Sequence, residues 1–122
     1  MKPNPLLDKS FNFSVQVVEF CYSIQQYEKE YIISKQLMRS GTSIGANIEE
    51  SQGAISKADF ISKLHISLKE ARESIYWLRI LKEVEPFNNK LESIESLLNQ
   101  CNQITYLLTA ILKSTKENLI KN

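Results

Sequence analysis

The sequence predicts an all-α protein, folded as an antiparallel up-and-down four-helix bundle. Helix breakers are rare, because the 122 residues include only three glycines and three prolines. Apolar residues recur at intervals of three and four along most of the chain, which is the spacing of one helix face. Signals for helix ends divide this pattern into four segments joined by short connections. We therefore predict a single bundle domain over residues 8–118, preceded by an extended arm over residues 1–7.

The first predicted helix covers about residues 8–28. Pro3 and Pro5 favour an extended arm before it, and Asp8 or Ser10 is expected to cap it. Its apolar residues form two rows, so the helix is apolar over much of its circumference. The first row is Phe13, Val17, Phe20, Cys21, Ile24 and Tyr27, and the second is Phe11, Val15, Val18 and Tyr22.

The second predicted helix covers residues 31–54 and carries the most informative segment, RSGTSIGANIEES. A glycine inside a helix costs about 1 kcal/mol relative to alanine, so two of them need a compensating gain. Close approach of another helix supplies such a gain. We expect Gly41, Gly45 and Ala46 to form this tight helix crossing.

Three polar residues of the same segment are predicted to fix the register of packing. Asn47 lies next to the Ile44/Ile48 face, and a buried amide must find a hydrogen bond. Arg39 and Glu50 are about 16 Å apart along the helix, so they are too distant to pair with each other. Each is expected to find its partner on another helix or another chain.

The junction before the third helix, predicted at residues 57–84, has clear end signals. Ser56 and Asp59 have the spacing of a capping box, and Ile55 and Phe60 occupy the positions of a hydrophobic staple. At the other end, Pro86 disfavours a helical conformation at the residue before it. The third helix is therefore expected to end near residue 84.

The fourth helix is predicted at residues 89–118, with Asn89 as its cap and Glu92 three residues later. It too has a second apolar row, which widens its stripe beyond what one bundle core needs. The wide stripes of the first and fourth helices favour self-association. A monomer with some exposed apolar residues stays open as the alternative. The second row of the fourth helix is Leu97, Ile104, Leu107 and Ile111.

The sequence shows no set of residues typical of an enzyme. The single histidine, His65, has no companions at metal-ligand spacing, and no base is available for a nucleophile. Gly41 and Gly45 lie in a helical pattern and do not form a phosphate-binding loop. We therefore predict no catalytic, metal-binding or cofactor-binding residues, no small-molecule substrate and no enzymatic activity.

Charge and hydropathy place further bounds on the function. The formal net charge is +1, from 15 basic and 14 acidic side chains, so there is no overall charge that would attract nucleic acid or membranes. No run of about 18 apolar residues suggests a membrane span. Without a signal-peptide pattern and with two isolated cysteines, the chain is expected to be cytoplasmic.

A basic side of the third helix offers a second function class, the binding of RNA or DNA. Glutamates interrupt this row of basic residues, so a solvated charged face is the other explanation. The candidate phosphate contacts are Lys63, Lys69, Arg72, Arg79 and Lys82.

Two sequence strings support a family resemblance. QLMRSGTSIGANIEES, from Gln36 to Ser51, is followed by KADF and then by LKEARESIYWLRIL, from Leu68 to Leu81. Together they resemble the four-helix bundle family of 23S ribosomal RNA intervening-sequence proteins. The resemblance implies a bacterial bundle whose gene can lie within an insertion in a large-subunit ribosomal RNA gene, with no established activity.

A related group is implied by the same resemblance. The accessory variability proteins of diversity-generating retroelements form pentameric barrels that bind a reverse transcriptase and nucleic acid. This likeness implies a homopentamer, and an RNA or an RNA-linked protein as the partner. The leading hypothesis is a non-enzymatic interaction or scaffold module that binds itself, and the runner-up is direct RNA binding through the third helix.

Overall fold

The computed structural model describes residues 4–121, with side chains described for residues 4–118. It contains α1 (Pro5–Tyr27), α2 (Ile32–Ser51), α3 (Lys57–Glu83) and α4 (Leu91–Lys121). A short 3₁₀ helix, Glu85–Lys90, precedes α4. No strand occurs in these residues. The prediction of an all-α four-helix bundle is confirmed.

The helices follow one another around the bundle in chain order. The most extensive packing is between α1 and α2, between α2 and α3, and between α3 and α4, whereas α1 and α4 share less contact. Cross-helix hydrogen bonds show that α2 and α3 are antiparallel, because Ser40 meets Ser74 while Ser67 meets Ile44. The α1 and α4 helices are antiparallel as well, because Lys9 meets Gln103 while Ser23 meets Lys90, just before α4.

The core lies along the axis of the bundle and takes residues from all four helices. Each helix contributes side chains at intervals of three and four, as its sequence pattern predicts. Phe87 of the 3₁₀ helix covers one end of this core. Its largest fully buried side chains include Phe13, Ile24, Leu37, Ile44, Ile48, Leu64, Leu78, Leu81, Ile94, Ile104 and Leu108.

The first helix begins earlier than predicted. Asn4 is the cap, and its side-chain oxygen accepts a hydrogen bond of 3.2 Å from the Leu7 N–H. Pro5 occupies the first turn, where its missing N–H costs nothing because that group has no partner within the helix. The extended arm expected over residues 5–7 is thus helical, and residues 1–3 of that arm lie outside the described residues. Neither Asp8 nor Ser10 is the cap.

A carboxylate opens α2, although no cap was predicted there. The Glu30 carboxylate accepts hydrogen bonds from the N–H groups of Ile32, Ile33 and Ser34, at 3.0, 2.9 and 2.6 Å. Lys29 has a φ of 57°, in the left-handed region, which reverses the chain without a glycine. The predicted break between the first two helices is present at residues 28–31.

The capping box of α3 forms, except that the Asp59 carboxylate bonds the N–H of the residue before the cap instead of the N–H of the cap itself. The Asp59 N–H donates to Ser56 Oγ at 3.0 Å, and the Asp59 carboxylate accepts from the Ile55 N–H at 3.2 Å. The predicted hydrophobic staple is wrong, because Ile55 is 94% exposed and is not packed against Phe60.

The α2 helix ends at Ser51, a few residues before its predicted end, and Gly53 lies in the turn that follows.

The connection between α3 and α4 also differs from its prediction. Val84 is extended and ends α3, and Pro86 lies in the first turn of the 3₁₀ helix. Asn89 is part of this 3₁₀ helix, which runs directly into α4, so Asn89 is not the cap that was predicted for the fourth helix.

None of the helices in the described part of the chain is long and apolar enough to cross a membrane.

Candidate functional site

The two glycines of α2 lie directly against α1. A Cβ atom on Gly41 would be 2.9 Å from Val17 Cγ1, and one on Gly45 would be 3.2 Å from both the Ser10 carbonyl oxygen and Ser14 Oγ. Real Cβ atoms rarely have contacts this short, so glycine is what lets the two helices approach. We call this contact the α1/α2 crossing. Its position explains why α2 carries two residues that are unfavourable in a helix.

The face of α2 that packs against α3 meets serines, which the sequence pattern does not single out. Ser40 Oγ and Ser74 Oγ are 2.8 Å apart and buried. Ser67 Oγ donates to the Ile44 carbonyl oxygen at 2.9 Å. Ser67 and Ser74 are seven residues apart, with Ala71 between them on the same face of α3. That spacing of small residues on a core face is a sequence signal that could have predicted this second close contact.

The paired hydroxyls of Ser40 and Ser74 lead to a prediction about stability. Replacing either serine with alanine removes one partner of a buried hydrogen bond, so we expect each single change to lower the free energy of unfolding by about 1 kcal/mol. The double variant Ser40→Ala/Ser74→Ala leaves neither hydroxyl behind. The double variant should lose clearly less free energy of unfolding than the two single variants lose together, as measured by urea denaturation. Strict additivity would contradict the pairing.

The structure separates Ala46 from the two glycines. Ala46 is exposed, whereas Gly41 and Gly45 are buried. The direction of a residue on a helix turns by about 100° per position, so Ala46 points away from the α1/α2 crossing that Gly45 faces. The expectation that Ala46 contributes to the close approach is therefore not supported by its position.

Arg39 and Glu50 both reach α3. Arg39 Nη2 is 3.3 Å from Glu73 Oε2, and the Trp77 ring nitrogen donates to the same oxygen at 3.2 Å. Lys63 Nζ is 3.7 Å from the Glu50 carboxylate. The Arg39 side chain is 62% exposed and Glu50 also faces solvent, so each pair stabilises the fold only slightly. The two ion pairs lie along the outer edge of the contact between α2 and α3.

Asn47 is bonded within its own helix. Its side-chain amide donates to the Ser43 carbonyl oxygen at 2.8 Å, one turn earlier in α2. The side chain is partly buried, and no hydrogen bond from it to another helix occurs among the described residues. Within one chain, Asn47 therefore does not fix the register between helices.

The basic residues of α3 do not form one stripe. Lys63 pairs with Glu50 of α2, and Lys82 lies 3.7 Å from Glu95 of α4, so these two lysines lie on different flanks of α3. Lys69, Arg72 and Arg79 are exposed, with no ion pair within the part of the chain that the structure describes. Arg72 and Arg79, two turns apart, share the side next to α4 with Lys82, and of these three only the arginines lack an ion pair within the described residues.

The second apolar rows differ between the two helices that carry them. On α4, Leu97 and Ile104 are buried within the monomer, and Leu107 and Ile111 are half-buried. The row of α4 is therefore covered largely by its own chain, contrary to the expectation that it would need a partner.

The row of α1 stays open to solvent. Phe11 and Tyr22 are each 61% exposed, Val15 is 43% exposed, and Val18 is half-buried. Their spacing of four, three and four residues puts them on one stripe of the helix. We call these four residues the α1 row.

A groove runs between α3 and α4 on the outer surface. One part has a volume of about 480 Å³, with Leu68 and Ile75 beside its floor and Tyr106, 76% exposed, on its rim. The groove continues past Tyr76 and Arg79 in a second hollow of about 460 Å³. We call this surface the α3/α4 groove. The residues around its first part include Leu68, Arg72, Ile75, Asn102, Tyr106 and Thr109.

Groups that could carry chemistry are scattered. His65 is exposed on α3. No group of three or more His, Cys, Asp or Glu side chains that could hold a metal ion occurs among the described residues. Cys21 and Cys101 are both buried with free thiols, and Cys101 Sγ is 3.4 Å from the Ala71 carbonyl oxygen.

Burial raises the pKa of both thiols. For Cys21 the pKa rises from 9.0 to about 12, through desolvation and then the negative charge of Glu30. For Cys101 desolvation alone raises the pKa to about 12. The thiolate is the reactive form, and each unit of pKa changes its population tenfold. These thiols are therefore unreactive while the bundle is folded.

The raised thiol pKa values predict how stability depends on pH. The folded state keeps its thiol protons above the ordinary pKa, where the unfolded chain loses them, so their contribution to stability is complete below about pH 9 and falls as pH rises towards 12. At pH 10 the loss should be about 1 kcal/mol per thiol. We expect the fall in Tm from pH 8 to 10 to be larger for the wild type than for Cys21→Ala/Cys101→Ala. An equal fall in Tm for the two proteins would contradict the raised thiol pKa values.

Comparisons with known proteins agree with this architecture. The family model described as 23S rRNA-intervening sequence protein matches residues 3–110. A solved structure of a protein with unknown function from the S23 ribosomal protein family of Bacteroides thetaiotaomicron VPI-5482 is 46% identical, with a TM-score of 0.84. The alignment covers 88% of this chain and 98% of that one. No curated protein matches the sequence. The chain belongs to the 23S rRNA-intervening sequence protein family.

Proposed function

We propose that this protein is a non-enzymatic, cytoplasmic four-helix bundle that binds copies of itself and serves as an interaction or scaffold module. The observation that carries the proposal is the α1 row, in which Phe11 and Tyr22 are each 61% exposed. The row occupies about 16 Å of helix with apolar side chains that the bundle does not cover. Burial of such surface is the main favourable term in protein association.

The row is more easily explained by a binding role than by folding. The bundle core is complete without it, since each helix already contributes a fully buried stripe. Single exposed apolar residues are normal on a protein surface, but a continuous stripe at heptad-like spacing is typical of a helix that packs against a partner. The α1 row supports self-association but not a particular number of copies. A pentamer is supported only by the resemblance to accessory variability proteins.

The first experiment is a mass measurement by light scattering over a range of micromolar concentrations. We expect a mass above that of one chain, increasing with concentration until assembly is complete. A mass of one chain throughout this range would overturn the proposal.

A charge in the α1 row should prevent assembly without unfolding the bundle. Val15 is 43% exposed, so an aspartate at this position is solvated in the monomer but would be buried without a partner in an assembly. We expect Val15→Asp to lower the association constant at least about a hundredfold, a loss typical of an unpaired charge. The matched control is Ser62→Asp, which adds the same charge at an exposed position of α3. Equal assembly by both variants would exclude the α1 row as the interface.

Direct RNA binding is the second candidate function. Arg72 and Arg79 support it, since they are exposed, lie on one side of α3 and flank the tyrosines of the α3/α4 groove. Phosphate contacts and stacking on aromatic rings are how proteins hold single strands. Filter binding of single-stranded RNA over a salt series should then give a negative slope of about 0.7 per phosphate contact. Absent or salt-independent retention would dismiss this candidate.

A further inference from the structure

The α1 row and the α3/α4 groove lie on opposite sides of the bundle. Ser10 and Val17 of α1 face the glycines of α2, whereas Gln16 hydrogen-bonds Gln100 of α4. Val18 is one turn from Ser14, at the edge next to α2, so the α1 row faces outwards on the α1/α2 side. The helices follow one another around the bundle in order, and the α3/α4 side is therefore the far side.

The two surfaces are compatible in length and in kind. From Phe11 to Tyr22 the α1 row spans eleven helical positions, or about 16 Å, and the groove, lined from Leu68 to Val84, is about 24 Å long, so it can hold the whole row. The row projects from one helix and is apolar. The groove is a hollow between two helices, with Leu68 and Ile75 at its first part and Leu98 at its second. A single helix lying between two others is the common packing arrangement of bundles.

Their unpaired charges are complementary. Asp8 and Glu19 lie beside the α1 row on the exposed face of α1. The groove is lined by Arg72 and Arg79, and by Lys82 and Glu83, whose opposite charges offset each other. Within residues 4–118, neither the two acidic residues of α1 nor the two arginines have an ion-pair partner. Row against row would bring acidic residues together, and groove against groove would bring arginines together, both of which are unfavourable.

From these observations we infer that the α1 row of one copy docks into the α3/α4 groove of the next copy. The inference rests on the proposed self-association and identifies the two surfaces that meet. The contact is head-to-tail, because it joins two different surfaces of the same chain. In an open assembly only the two end copies keep a free surface, one a row and the other a groove, and a ring forms when these two surfaces meet.

A head-to-tail contact can be tested by blocking one surface at a time. In Val15→Asp the row is blocked and the groove is intact. In Arg72→Glu/Tyr106→Asp the groove is blocked and the row is intact, and both changed residues are exposed. Each variant alone should have the mass of one chain by light scattering. An equal mixture should give the mass of two chains and no more, because one intact row meets one intact groove.

The outcomes separate the interface from the proposed function. A wild type that remains monomeric would overturn both. A wild type that assembles, with a mixture that shows no dimer or a groove variant that still assembles, would overturn the pairing while self-association stands. RNA retention that is lost in Arg72→Glu/Tyr106→Asp, with assembly unchanged, would also overturn it. Dimerisation of the mixture shows that both variants are folded; should Val15→Asp not fold, Tyr22→Asp blocks the same row at a more exposed position.

Discussion

Gly45→Leu is expected to destabilise the bundle by about 2 kcal/mol, because an overpacking cost of about 3 kcal/mol is offset by about 1 kcal/mol from the better helix propensity of leucine. A Cβ at this position would already be 3.2 Å from the Ser10 carbonyl oxygen and 3.4 Å from the Ser10 carbonyl carbon. These atoms belong to the backbone of α1, which cannot turn aside as a side chain can. The helices must therefore separate, and Tm should fall by about 10 °C.

The matched control for this change is Gly53→Leu. Gly53 lies in the turn after α2, and the nearest atom to a Cβ there is the Glu50 carbonyl oxygen at 3.9 Å. Its φ is not positive, so leucine is not strained by the backbone. The same chemical change should alter stability by less than about 0.5 kcal/mol. Unchanged melting temperature and unchanged mass for Gly45→Leu would show that the α1/α2 crossing does not need its glycine.

The glycine positions show how far the sequence predicts this fold. Two glycines four residues apart within an apolar pattern predicted a close helix contact, because only backbone proximity offsets their cost. The pattern did not tell which neighbour would be close. Ala46 is adjacent to Gly45 in sequence, yet its direction on the helix differs by about 100°, so adjacency does not place it in the same contact.

Among the starts of the described helices, only that of α3 was predicted at the right residue, because its capping residue is small and adjacent to the helix. Ser56 fits the rule for α3, and its hydrogen bond to the Asp59 N–H is present. Glu30 opens α2 with a long side chain that folds back onto three N–H groups, a geometry that depends on the left-handed turn at Lys29. The signal at Asn4 is ambiguous in the sequence, because Pro5 suits an extended arm and a first helical turn equally well.

The candidate surfaces depend on tertiary structure, so the sequence predicted them only in part. Periodicity identified the second row of α1 and that of α4 as similar, yet the chain covers one and leaves the other exposed. Likewise, five basic residues of α3 were grouped by sequence distance. The structure places Lys63 towards α2 and Lys82 towards α4, where glutamates of the neighbouring helices pair with them. Neither neighbour could be identified before the helices were assembled.

Gly41→Leu should also be strongly destabilising, but here a second substitution can remove the steric clash. A Cβ on Gly41 would be 2.9 and 3.1 Å from the two γ-methyl groups of Val17, so the obstacle is a side chain. In the wild type we expect a loss of about 2 to 3 kcal/mol from overpacking. Val17→Ala removes both methyl groups and leaves a space that the new leucine can occupy.

In the Val17→Ala background, the additional cost of Gly41→Leu should therefore fall by about 1 to 2 kcal/mol, which is the coupling expected for two residues in direct contact. Urea denaturation of the two single variants and the double variant measures this coupling. The pair Gly45→Leu and Val17→Ala provides the control, because the atoms nearest to a Cβ on Gly45 belong to Ser10 and Ser14 rather than to Val17. Equal coupling for both glycines would mean that the helices separate as rigid bodies, whereas relief at Gly41 alone would assign each glycine to its own contact on α1.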